Sequence, residues 1–97
     1  MILELADIRI QPGQQAAFEE GIQRGIDTVI SKAKGFIGVT VHHGIESPER
    51  YLLQIRWETL ENHTVDFRGS DAYNQWRAIV GPFFAGPPTV EHFNLLA

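Results

Sequence analysis

Apolar and polar residues alternate from Ile2 to Ile10, with Ile2, Ala6, Ile8 and Ile10 on one side and Leu3, Leu5, Asp7 and Arg9 on the other. A period of two is that of a β-strand. Gln11-Pro12-Gly13 breaks the pattern, and Pro12 suits the first turn of a helix. From Gln14 to about Lys34 the residues Phe18, Ile22, Ile26, Val29 and Ile30 recur at helical spacing and form one stripe for burial. Gly21 and Gly25 lie beside that stripe. Each costs a helix about 1 kcal/mol relative to alanine, so packing must compensate, and a close approach to a sheet is the expectation. Lys32 and Lys34 suit the negative end of the helix dipole, and Gly35 ends the element.

Phe36 to His43 reads as a second strand, with Ile37, Val39 and Val41 on one side and Phe36, Thr40 and His42 on the other. Gly44 to Pro48 has turn chemistry, and Tyr51 to Trp57 completes a hairpin whose apolar side is Tyr51, Leu53, Ile55 and Trp57. Thr59 caps a short helix from Leu60 to about Phe67, broken at Arg68-Gly69. Ser70 caps a further helix, Asp71 to Val80, with Tyr73, Trp76, Ile79 and Val80 facing inward. Gly81-Pro82 and Gly86-Pro87-Pro88 end the helical region before a last strand, Thr89 to Leu95.

The order β-α-β-β-α-β predicts an α+β ferredoxin-like sandwich, a four-stranded antiparallel sheet with helices on one face. The 97 residues make one domain, 1–97, with a single core. The other sheet face then lacks cover. Leu3, Leu5, Phe36, Leu52 and Phe93 are its candidate apolar residues, which predicts a homodimer formed through the open sheet face.

Composition narrows the partners. A net charge of -4 gives no clustered basic surface, so nucleic acid is not an expected ligand. No cysteine is present, which removes disulfides, thiolate metal sites and a thiol nucleophile. The opening MILELADIRI has no basic region or small-residue cleavage site, and no apolar run reaches the roughly 18 residues of a membrane span. The expectation is a cytoplasmic protein with no membrane association.

Most standard catalytic motifs are missing: there is no GxGxxG after a strand, no Walker-type loop, no GxSxG elbow and no HExxH. His42 and His43 are adjacent on a strand and point to opposite faces. A metal site built from His63, His92 and a carboxylate such as Glu58 or Glu91 would need tertiary contacts that the spacing does not encode, so these read as surface or edge imidazoles and no metal is expected.

The stretch from Glu49 to Trp76 with Arg77 holds the densest chemistry. Taken singly, Trp57 is a core residue, His63 a helix-surface residue and Arg77 a stem over apolar surface. Together they can line one pocket. His63 has an ordinary pKa near 6.5 that suits a base at neutral pH, and Arg77 can hold an oxyanion by charge-assisted hydrogen bonds. Trp57, Phe67, Tyr73, Trp76 and Phe83 would supply aromatic walls.

The run WETLENHTVDFRGSDAYNQWRAIVGPFF from Trp57, with GPPTVEHF after it, resembles the antibiotic biosynthesis monooxygenase (ABM) family, and the element order agrees over essentially the whole chain. The resemblance implies a dimeric α+β barrel and, as in some members, oxidation of aromatic polyketides by O2 without metal, flavin or haem. Those oxygenases have a tryptophan where Trp57 stands, a tyrosine at His63 and an arginine at Arg77. They carry an asparagine at Leu53, so this chain departs from them at a substrate-holding position. Haem-degrading relatives have an asparagine near the end of the first strand, where Ala6 stands here, and haem is not expected.

The resemblance therefore implies a cofactor-independent monooxygenase acting on a small aromatic, quinol-type or polyketide-like molecule, with His63, Arg77 and Trp57 catalytic and Leu53, Phe67, Tyr73, Trp76 and Phe83 around the substrate. The alternative is a dimeric module that binds a hydrophobic ligand, or serves a stress response, and catalyses nothing.

Overall fold

The computed structural model describes residues 1–97. Strand β1 spans Ile2–Arg9, helix α1 Gln15–Thr28, β2 Phe36–His43, β3 Arg50–Trp57, helix α2 Asp71–Val80 and β4 Thr89–Asn94. Short 3-10 turns cover Ile30–Lys32 and Gly81–Phe83, and Asn62–Phe67 is a π-helical segment. The antiparallel sheet has the order β2-β3-β1-β4, which is the ferredoxin-like arrangement the alternation predicts. No helix is long and apolar enough to cross a membrane.

The side-chain period of two decides what lies under the helices. Along β1 the buried positions are Glu4, Ala6 and Ile8; along β3 they are Tyr51, Leu53, Ile55 and Trp57. These two strands pair in register, Glu4 opposite Ile55, Ala6 opposite Leu53 and Ile8 opposite Tyr51, so their buried side chains form one surface. Phe18 and Ile22 of α1, with Trp76 and Val80 of α2, close over it as a single hydrophobic cluster.

Four sequence expectations change. Helix α1 stops at Thr28 rather than near Lys34, and a separate 3-10 turn carries Ile30 and Lys32 before Gly35 turns the chain at φ 81°. Gly21 and Gly25 make room for the second helical layer instead of the sheet: a Cβ at Gly25 would sit 2.9 Å from the Trp76 ring, and one at Gly21 would sit 3.2 Å from Phe83. A bulge between Phe36 and Gly38 shifts the register of β2. It turns Phe36 to the covered side, edge-on to Trp57 at 6.2 Å, and removes it from the open face. The short helix begins as expected, with Thr59 and Asn62 capping each other reciprocally, but continues with π geometry: the Arg68 N–H donates to the His63 carbonyl five residues back at 3.1 Å.

Candidate functional site

A cavity of about 590 Å³ lies between the covered face of the sheet and the π segment, α2 and the Phe84–Pro88 region. The sheet contributes Glu4, Ala6, Ile8, Leu53, Ile55 and Val90 to its wall. The helical side contributes His63, Phe67, Arg68, Tyr73, Trp76 and Arg77, and Phe84, Pro87 and Pro88 form a rim. A wall that is mostly apolar, with a few charged or titratable groups converging on it, is the usual form of a small-molecule site, and the volume is within the usual range.

The polar part is built around Glu4. It shares the inward face of β1 with Ala6 and Ile8, and only 5% of it is exposed. The indole Nε1–H of Trp57 donates to its Oε1 at 2.9 Å. His63 Nε2 lies 3.3 Å from the same oxygen. The other ring nitrogen of His63, Nδ1, is 2.8 Å from Nε2 of His92, which stands opposite Glu4 in the β1–β4 register. Four residues from β1, β3, the π segment and β4 thus form one connected chain, Trp57 to Glu4 to His63 to His92.

The π geometry helps place His63. A wider turn of helix brings His63 and Phe67, four residues apart, onto the same buried wall with ring centroids 6.2 Å apart. Trp57 stacks against His63 at 5.4 Å and 20° and itself lies 5.8 Å from Phe67, so the three rings form a triangle. The imidazole is therefore fixed against an indole and a phenyl ring that also touch each other, with 4% of the residue exposed.

Burial sets the electrostatics. It pulls His63 down from the usual 6.5 to about 4, with the charges of Arg68 and His92 acting in the same sense. It also lowers His92, again assisted by Arg68. Glu4 is pushed up by burial, against the opposing effects of the Trp57 hydrogen bond and Arg68. Each shift favours the neutral form of its own side chain. At neutral pH both imidazoles are uncharged, so His63 is present as a free base, but a weaker one than its unperturbed pKa suggests.

The predicted residues divide into two groups. His63, Arg77, Leu53, Phe67, Tyr73 and Trp76 all lie on the cavity wall, and the Arg77 guanidinium sits 5.8 Å from the centre of the Tyr73 ring. Trp57 and Phe83 do not. Trp57 is fully buried behind His63, because the inward pleat of β3 drives its ring under the π segment. Phe83 packs into the notch at Gly21 and against Phe18 at 5.9 Å, leaving Phe84 at the cavity.

Sequence reasoning passed over Glu4, Arg68 and His92 as members of this site. The signal for Glu4 was available: it has the same parity as Ala6 and Ile8, so the alternation that makes β1 a strand also puts a carboxylate in the core. The sequence offers Glu58 or Glu91 as the carboxylate beside His63 and His92, and neither belongs to the cavity wall.

The model of the ABM family, described as antibiotic biosynthesis monooxygenase, matches residues 1–79. The uncharacterized Bacillus subtilis (strain 168) protein YczJ is 40% identical over 94 residues, covering 97% of this chain and 98% of that protein. A crystal structure from Bordetella bronchiseptica that bears the name of an antibiotic biosynthesis monooxygenase is 44% identical and superposes with a TM-score of 0.94 over 99% of this chain and 97% of that one. A Streptomyces coelicolor monooxygenase solved in complex with nanaomycin D shares the fold, with a TM-score of 0.83 at 18% identity over 99% of this chain and 88% of that one. The match of the family model to most of the chain, together with the 40% identity to YczJ, shows that this protein belongs to the antibiotic biosynthesis monooxygenase family.

Proposed function

We propose that this protein is a cofactor-independent monooxygenase that oxidises a small aromatic, quinol-type molecule with O2 in the cavity between sheet and helices. The observation that carries the reading is the convergence, on one largely apolar wall, of an unprotonated imidazole, a carboxyl group and two guanidinium groups: His63, Glu4, Arg68 and Arg77. The Streptomyces coelicolor monooxygenase of the same fold binds nanaomycin D, which supports a small organic molecule as the substrate here.

His63 takes the proton from an acidic phenol or enol, and Arg77 or Arg68 pairs with the oxyanion that forms. The electron-rich anion passes one electron to O2, the radical pair combines, and the resulting hydroperoxide breaks its O–O bond to release water. One oxygen atom stays in the product, and the substrate supplies all four electrons that reduce O2, two for the inserted atom and two for water. Leu53, Phe67, Tyr73 and Trp76 keep water from the anion and the radical. With His63 near 4 and a phenol near 10, the unassisted proton transfer is uphill by about 8 kcal/mol, so the guanidinium groups must stabilise the anion strongly.

The protein works as a homodimer in this reading. Leu3, Leu5, Leu52 and Phe93 lie on the sheet face away from the helices, Leu3 and Phe93 as direct cross-strand neighbours, and a second copy laid on this face would bury them. Oxygen uptake on mixing the purified protein with anthrones and quinols tests the activity. Substrate-dependent uptake supports it, whereas saturable binding of the same compounds with no uptake would make the protein a non-catalytic ligand-binding module.

A further inference from the structure

His92 is absent from the cavity wall, yet its ring is bonded to one that belongs to it. An N···N separation of 2.8 Å between two imidazoles requires one ring to donate and the other to accept. The remaining nitrogen of His92, Nδ1, bonds to nothing in the fold, and no buried side-chain nitrogen lacks a partner, so Nδ1 is reached by solvent at the edge strand β4. At the inner end, Nε2 of His63 lies 3.3 Å from Glu4 Oε1, both residues line the cavity, and the Trp57 N–H holds that carboxyl group in place. The path runs from the cavity through two rings to the surface.

We propose that His63 and His92 form a two-ring proton wire between the cavity and solvent, with Glu4 as the residue that positions its inner end. This rests on the oxygenase reading only for the source of the proton. The starting state carries hydrogen on Nδ1 of each ring and on the Glu4 carboxyl group, whose O–H donates to the bare Nε2 of His63 until the substrate hydroxyl takes its place. As the substrate O–H bond breaks, a bond to His63 Nε2 forms; the His63 Nδ1–H proton moves to His92 Nε2; and the His92 Nδ1–H proton leaves to water. The substrate is then an anion, both rings are again neutral with hydrogen on Nε2, and charge balances because one proton has reached solvent. A proton returning along the same path, to complete the release of water from O2, restores the first tautomers.

The wire resolves a difficulty of the site. Burial and Arg68 disfavour a stored imidazolium on either ring, and a concerted relay stores none. The groups around the inner ring are Glu4 on β1, Trp57 on β3, Arg68 after the π segment and His92 on β4. Glu4 is the one that touches Nε2 and so fixes the orientation of the His63 ring at the cavity end.

The test has one part that needs no activity. In protein labelled with 15N-histidine, NMR should show a scalar coupling across the His63–His92 hydrogen bond with both rings neutral at pH 7. Lack of that coupling, or two rings titrating independently with ordinary values, overturns the wire. The second part is kinetic, on the intact protein with a substrate that supports oxygen uptake. His92→Phe and His92→Gln, each checked for folding by thermal melting, should lower kcat on the order of 10-fold at unchanged KM, with recovery on adding free imidazole. Full turnover in both variants, or a loss that imidazole does not restore, overturns the relay's role. Coupling present in a wild-type protein that never consumes oxygen would support the wire while removing the oxygenase reading.

Discussion

Glu4 is where one residue changes the chemistry of the whole cavity. A carboxyl group beneath a sheet is costly unless it is hydrogen-bonded, and here it accepts from Trp57 and faces His63. Glu4→Gln keeps an acceptor for the indole but can neither ionise nor exchange a proton. We expect unchanged or slightly raised stability and a loss of turnover on the order of 10- to 100-fold, read as oxygen uptake beside thermal melting. His63→Ala should cost about 100-fold or more, the scale for losing a general base. Retention of full activity by that variant would remove His63 from the chemistry.

The lowered pKa of His63 also makes a statement about stability. Above pH 6.5 the ring is neutral in both folded and unfolded chains and contributes no pH dependence. As pH falls below 6.5 the unfolded ring gains a proton that the folded ring refuses until about pH 4, so about 3 kcal/mol of stability is lost across that window. His92, also lowered, adds to the loss, whereas Glu4, raised, opposes it as pH falls toward 4.5. Urea midpoints at pH 7, 5 and 4 should therefore fall less steeply in His63→Gln than in the wild type, and identical acid slopes would contradict the assignment.

At the scale of elements, the cavity depends on how the two helices meet. Gly25 lets α1 accept the Trp76 ring, and Trp76 is also part of the cavity wall. Gly25→Ala gains about 1 kcal/mol of helix propensity but forces the ring or the helix to move, which costs about 1–3 kcal/mol. Differential scanning calorimetry should show net destabilisation, and ligand affinity should change with it because the displaced ring borders the cavity. The π segment has its own local support in the reciprocal Thr59–Asn62 cap. Thr59→Ala should cost about 1 kcal/mol, and the same measurement checks it.

For the whole molecule, the two faces of the sheet carry separate tasks. One face, with its helices, encloses the cavity; the other presents Leu3, Leu5, Leu52 and Phe93 among polar neighbours such as Gln54, Arg56 and Glu91. Leu5 is central on this face, between Gln54 and Glu91 in the register. Leu5→Arg should convert the expected dimer to a monomer in light scattering at micromolar concentration while the sheet and core remain folded, because the side chain points away from them. A wild-type protein that is already monomeric would remove the dimer.

Periodicity alone determined the element order, the antiparallel sheet and most of the core, since a residue's parity on a strand or angle on a helix is a local property of the backbone. It also placed Trp57 at the end of β3, His63 on the short helix and Arg77 on α2, with Leu53 and Trp76 facing inward, but did not bring the first three together. Tertiary structure decided what the site is made of. Glu4, His63 and His92 are far apart in sequence and meet only through the β1–β4 register and a π turn. A β-bulge, invisible to a simple alternation, took Phe36 off the open face, and layer packing sent Trp57 behind the imidazole instead of beside a ligand. The pKa values followed from that burial, because desolvation depends on every neighbour in three dimensions, and no spacing along the chain encodes it.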